Sequence, residues 1–182
     1  MDNKVDRRIL KSRKLIQTTF LTMLIEDGFD EITVKKITEK SDISRKTFYL
    51  HYADKYELLD TIVDKQLEEL EEICEMKKEK GFIEGTVIWF QYFERHKAFF
   101  GALFASESTV SFRKRLLDFI TNQLGKRLAG IGAEKDPEVL LKFLSMAVLG
   151  IVESFLLDQL SANTEQIASQ VGELLERNIA FA

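Results

Sequence analysis

Between positions 44 and 51, Ser44, Arg45, Lys46, Thr47, Tyr49 and His51 place six hydrogen-bonding side chains within eight residues. Their chemistry is that of donors directed at anions and base edges. Arginine and lysine donate to guanine acceptors, and threonine and tyrosine hydroxyls suit phosphates or bases. Thr33, eleven residues upstream, begins another short segment whose free N–H groups would face a phosphate. Lys55 follows a few residues downstream. Such a set works only from an element that holds it toward a groove.

The elements that position it are legible in the spacing. From Arg8 to Ile25 the apolar residues Ile9, Leu10, Leu15, Ile16, Phe20, Leu21, Leu24 and Ile25 recur at helical intervals. Gly28 takes the role of the residue just past the helix end. Thr33 caps a short second helix over 34–39, and a polar turn from Lys40 to Ser44 leads to a third over 45–49, capped by Ser44. Two short helices joined by a tight turn, behind a longer basic helix, make the helix-turn-helix plan. Asp54 with Glu57 three residues on has capping-box spacing and opens a long fourth helix reaching about Lys78.

The charge balance agrees. The chain of 182 residues has a net charge of −4, which by itself argues against a nucleic-acid partner. Residues 1–55, however, hold 12 Lys/Arg against 9 Asp/Glu, while residues 56–182 hold 14 against 21. A basic head on an acidic body is the expected arrangement for phosphate binding by the head. The domain boundary is therefore expected near 55, giving domains 1–55 and 56–182.

Beyond Gly81 the chain turns aromatic, with helices expected over 82–94, 96–105 and 108–129. A loop at 130–133 precedes Pro137, placed at the first helical position after an Asp136 cap. A weakly polar helix over 137–160 and a last one, capped by Asn163 or Thr164 and ending near Ala180, complete about nine helices. One proline and nine glycines in the chain favour an all-α fold.

Several classes of function fall away. Cys74 is the single cysteine, so no intrachain disulfide forms and a reduced, cytoplasmic compartment fits. No glycine-rich phosphate loop, metal-ligand cluster or nucleophile elbow occurs, so no catalytic residue, metal or cofactor is expected. No uncharged apolar run approaches the ~18 residues of a membrane span, so no membrane partner is expected. Glu153 stands out inside an apolar run. A buried carboxylate is costly unless paired, which leaves a cationic ligand, a basic partner across a dimer, or water.

Three linked segments then resemble the TetR family: Thr33-Val34-Lys35-Lys36-Ile37, Ile43 through Tyr52, and Asp54-Lys55-Tyr56-Glu57-Leu58-Leu59. The upstream Phe20, Gly28, Phe29 and Thr33 match as well, so the likeness covers about the first 60 residues. It implies an all-helical chain with a three-helix DNA-binding head and a helical ligand-binding and dimerisation body. It also implies a homodimer, joined through the last two helices, that binds a palindromic double-stranded operator and is released by a small hydrophobic or amphipathic effector. Arg45, Lys46 and Thr47 match base-facing positions. Thr33, Tyr49, His51 and Lys55 match phosphate-contacting ones, and Phe48 matches the buried aromatic that locks the helix down. Lysine at 46, where the family often has a small residue, adds one contact. The implied pocket would draw on Trp89, Phe93, Phe100, Phe104, Phe119, Phe143, Met146 and Phe155, although each also fits as core. A TetR-like coactivator that docks on another regulator without touching DNA is the alternative, and an intact basic recognition helix argues against it.

Overall fold

The computed structural model describes residues 2–76, 80–131 and 138–179. Those residues form nine α-helices and no strand. They are α1 (Asp2–Glu26), α2 (Val34–Lys40), α3 (Arg45–Tyr49), α4 (Lys55–Met76), α5 (Phe82–Arg95), α6 (Lys97–Ala105), α7 (Val110–Ile131), α8 (Glu138–Leu156) and α9 (Thr164–Ile179). A single 3₁₀ turn, Glu107–Thr109, leads into α7. The expected Asp136 cap with Pro137, positions 132–133 of the loop, Lys78 and Ala180 lie outside the described residues.

Local chemistry sets several helix ends. Thr33 is extended and its hydroxyl accepts from Lys36 N at 3.2 Å. Ser44 does the same for Thr47 N at 3.0 Å. Asp54 Oδ1 accepts from Tyr56 N and Glu57 N at 2.8 and 2.9 Å. The Glu57 carboxylate reaches back to Ala53 N, one residue before the cap, in a capping-box exchange shifted by one position. Gly28 follows α1 at φ 81°, a left-handed conformation that glycine adopts without Cβ strain. Asp42 takes that conformation between α2 and α3 at φ 50°. Aspartate tolerates it because its side chain bonds locally. The same feature at Asp158, φ 57°, ends α8 at Leu156, four residues before the expected end.

The chain divides into two compact units, Met1–Gln66 and Leu67–Ala182. In the first, Ile16, Phe20, Leu24, Phe29, Ile37 and Phe48 are fully buried. Phe20 and Phe29 meet edge-on at 6.3 Å. The α1 periodicity overcounts its buried face, because Ile9, Leu10, Leu15 and Ile25 are exposed.

In the second unit, α5 and α9 run closest together. A Cβ built on Gly172 would lie 2.5 Å from Ile83 Cα, so only glycine lets these backbones approach so nearly. An aromatic cluster of Phe90, Phe93, Phe100, Phe104, Phe112 and Phe155 fills the core between α5, α6, α7 and α8. Phe93 and Phe100 meet at 5.0 Å, Phe100 and Phe112 at 5.8 Å, and Phe90 and Phe155 at 5.4 Å. Offset and edge-on pairs of this kind add to simple area burial.

Helix α8 bears on the membrane expectation, although Lys142 and Glu153 leave it no uncharged run of that length. An 18-residue stretch of it has a mean hydropathy of 2.0, and the helix is long and apolar enough by length and composition to cross a membrane. Its few charges do not suppress the average. Only 39% of that stretch is buried, on the side packed against α6 and α7, so much of its apolar surface is exposed.

Candidate nucleic-acid interface and body cavity

The head places its polar set outward. Phe48 is fully buried and touches Tyr49 and Tyr52 at ring distances of 5.6 and 5.9 Å, which seats α3. Ser44, Arg45 and Lys46 are exposed and Thr47 is half-buried. Tyr49 is 57% exposed. Leu50, which spacing alone did not single out, is 74% exposed beside it. An apolar group at such a place suits a thymine methyl. Thr33 is exposed at the start of α2.

Two of the expected phosphate contacts have partners within the head. His51 Nε2 lies 2.8 Å from Ser12 Oγ. Burial, and then the charge of Arg13, lower its pKa, so the imidazole favours its neutral form. Lys55 Nζ donates to Phe29 O at 3.1 Å and sits 4.4 Å from the Phe29 ring centre. Tyr52 is buried and its hydroxyl accepts from Gln17 Nε2 at 3.0 Å and Arg13 Nε at 3.3 Å. These bonds tie the end of the recognition helix to α1, so α1 sets the aim of α3.

Within the second unit lies a cavity of about 390 Å³. Its lining includes Ile73, Cys74, Phe82, Thr86, Trp89, Ile120, Gln123, Leu124, Val148, Val171 and Leu175, with Glu75, Lys126 and Arg127 also contributing. Of the eight residues expected at a pocket, Trp89 belongs to this lining. Phe119 stacks on Trp89 with ring centres 6.2 Å apart. Phe93, Phe100, Phe104 and Phe155 are buried as core, Phe93 against Phe100, Phe104 against Phe112 and Phe155 against Phe90. Phe143 and Met146 are exposed on α8, at 63% and 50%. Helical phase decides which of these rings face this void.

The cavity's polar groups are mostly engaged. Lys126 Nζ donates to Glu71 at 2.8 Å and lies 3.9 Å from Glu75. Arg127 donates to Lys80 O at 2.9 Å and lies over the Phe82 ring at 4.7 Å. Burial pushes the Cys74 thiol up to about 11, so it stays protonated and unreactive at neutral pH.

Glu153 has an ion-pair partner within its own chain. Arg113 of the same chain, forty residues away, holds it through Nη2 on Oε1 and Nε on Oε2 at 3.5 Å. The sequence offered no local cue for this pairing, since it joins α7 to α8.

A buried-aromatic recognition helix with outward Arg, Lys and hydroxyl groups defines a helix-turn-helix DNA-binding head, here joined to a helical body. A model of "bacterial regulatory proteins, tetR family" matches residues 21–62, and one of "transcriptional regulator C-terminal region" matches residues 80–177. The chain therefore belongs to the TetR family of transcriptional regulators, which are DNA-binding regulators and not enzymes. A 70-residue stretch is 41% identical to the uncharacterized HTH-type transcriptional regulator YxbF of Bacillus subtilis (strain 168), covering 38% of this chain and 18% of that protein. The fold is similar to a TetR transcriptional regulator of Streptococcus agalactiae 2603V, with TM-score 0.76, 18% identity and coverage of 96% and 99% of the two chains. It is similar also to a TetR-family regulator of Syntrophomonas wolfei str. Goettingen, at TM-score 0.73, 19% identity and coverage of 93% and 95%. The dihydroxyacetone kinase operon activator DhaS has TM-score 0.70, 21% identity and coverage of 93% and 96%.

Proposed function

We propose that this chain is a ligand-responsive repressor. In this reading it binds a palindromic operator as a homodimer in the cytoplasm and is released when a small apolar or amphipathic effector enters the body. The observation that carries it is the cavity of about 390 Å³ within the body of a DNA-binding chain. That volume falls at the lower end of the ~300–1,000 Å³ range of small-molecule sites. An effector releases DNA only if it binds the DNA-incompetent state more tightly, so the site must belong to a part of the body that changes between the two.

Arg45, Lys46 and Thr47 read bases, with Ser44 at the start of their helix. Thr33, Tyr49, His51 and Lys55 meet the backbone, the last two after leaving their present partners. Dimerisation draws support from α8, where Val139, Phe143 and Met146 recur at helical spacing with Val139 82% exposed. Leu174 on α9 is exposed as well. A second copy would cover this apolar surface. Two heads in a dimer then reach major grooves about one helical turn, ~34–36 Å, apart.

Selection of bound sequences from a random DNA pool, at defined salt because phosphate contacts are salt-sensitive, tests the reading. One inverted repeat is the expected result. Recovery of nothing above background by folded protein would remove direct DNA reading and favour a coactivator that docks on another regulator, a reading to which the likeness to DhaS, an operon activator, would then lend weight.

A further inference from the structure

Two side chains in the body cavity carry buried donors with no hydrogen-bond partner among the described residues, Trp89 Nε1 and Gln123 Nε2. Both residues line the cavity, from α5 and α7 respectively. An indole N–H is a donor only, so no rearrangement of its own proton satisfies it. A buried donor left unmatched is costly, and native structures almost always supply an acceptor. The Gln123 amide leans toward Glu71 closely enough to favour that carboxylate's charge, behind the stronger effect of Lys126. Its Nε2 nevertheless meets no acceptor at hydrogen-bond geometry.

The rest of the wall is largely apolar, with Leu124, Val148, Val171 and Leu175 facing the same space. The cations at its margin, Lys126 and Arg127, already answer to Glu71 and to Lys80 O. The site thus presents two unmatched donors in a largely apolar surface, while its carboxylate, Glu75, lies 3.9 Å from Lys126.

We propose that the cavity binds an apolar small molecule whose polar atoms are hydrogen-bond acceptors, carbonyl or carboxylate oxygens, received by Trp89 Nε1 and Gln123 Nε2. The proposal rests on the reading of this cavity as an effector site, and names the chemistry of the occupant. A protonated amine brings only donors, so it leaves the Trp89 indole unmatched and is met by Gln123 only if the amide turns its oxygen inward, and the site discriminates against it. The two acceptor classes differ in charge and in the number of acceptor oxygens.

Calorimetric titration of the full chain without DNA, using 2-decanone, decanoate and decylammonium, tests this. Emission from Trp89, the single tryptophan, reports whether binding occurs in the cavity. One or both oxygen-headed probes are expected to bind and shift that emission, with decylammonium at least about tenfold weaker. Preference between 2-decanone and decanoate identifies a neutral or an anionic head. Gln123→Leu should weaken the better probe by about tenfold, and Trp89→Phe should do so by calorimetry to a similar degree. Circular dichroism checks the fold. Should the leucine variant fail to fold, Gln123→Glu keeps the shape while exchanging the donor for an acceptor, and should weaken decanoate further. The proposal is overturned if neither oxygen-headed probe binds, if decylammonium binds as well, or if affinity is unchanged in folded variants at both positions. Probe binding that leaves operator affinity untouched would remove the effector reading while the cavity's chemistry stands.

Discussion

His51 Nε2 and Ser12 Oγ lie 2.8 Å apart, joining the end of the recognition helix to the first helix of the head. Ser12 Oγ also lies 3.1 and 3.0 Å from Arg8 O and Ile9 O, alternative acceptors for its single proton, so the direction of its bond to the imidazole follows the His51 tautomer. Burial and Arg13 hold the His51 pKa below its ordinary 6.5. The unfolded chain therefore binds the proton more readily than the folded one. The stability contributed is fully present above 6.5 and is lost as pH falls through the lowered folded value. Thermal melts from about pH 7 to pH 5 should show Tm falling over that window, and His51→Asn should flatten the acid loss. A phosphate beside His51 favours the charged form, so operator affinity should rise over the same window. Parallel profiles for the wild type and His51→Asn would remove this role.

Lys46 and Tyr49 stand exposed on α3, Tyr49 meeting the core only through its edge contact with Phe48. Lys46→Ala with Tyr49→Ala should leave circular dichroism and Tm nearly unchanged, since surface substitutions usually stay within about 0.5 kcal/mol. Affinity for the selected operator should fall at least tenfold, each good base contact being worth about 1–3 kcal/mol. Unchanged affinity would remove α3 as the reading helix.

The Arg113–Glu153 pair is about one-third exposed on each side. Its loss should cost between the values of surface and buried pairs, on the order of 1–2 kcal/mol after allowance for solvent screening. Arg113 also donates to Phe104 O at 2.9 Å, so Arg113→Met should lower Tm more than Glu153→Gln does. A double-mutant cycle with no coupling energy would show the contact to be incidental.

Gly172 has no room for a methyl group against Ile83. Gly172→Ala should destabilise the body by about 1–3 kcal/mol despite alanine's higher helix propensity. Denaturant midpoints measure this directly, and a stabilised variant would mean that α5 and α9 separate freely.

Phe143 is 63% exposed, so Phe143→Glu should preserve the fold of the single chain. Sedimentation velocity should show the wild type as a dimer and the variant as a monomer. A variant that stays dimeric would place the interface elsewhere.

What the sequence determined by itself is what depends on near neighbours along the chain. Thr33, Ser44 and Asp54 cap helices through bonds spanning two or three residues, and Gly28 supplies a left-handed end. The polar set on α3 follows from the same short range, because five helical residues have few faces to divide between core and solvent. Tertiary structure decided matters in which distant residues compete for the same space. Trp89, Phe93 and Phe100 share one aromatic character, yet Trp89 borders the void and the other two are sealed in core, because that depends on where α7, α8 and α9 pass. Glu153 found Arg113 forty positions back, and His51 found Ser12 thirty-nine back, through helix docking that periodicity does not encode. Phe143 and Met146 point outward because α6 and α7 cover only the other side of α8, and apolar spacing cannot tell a face buried by its own chain from one left for a second copy.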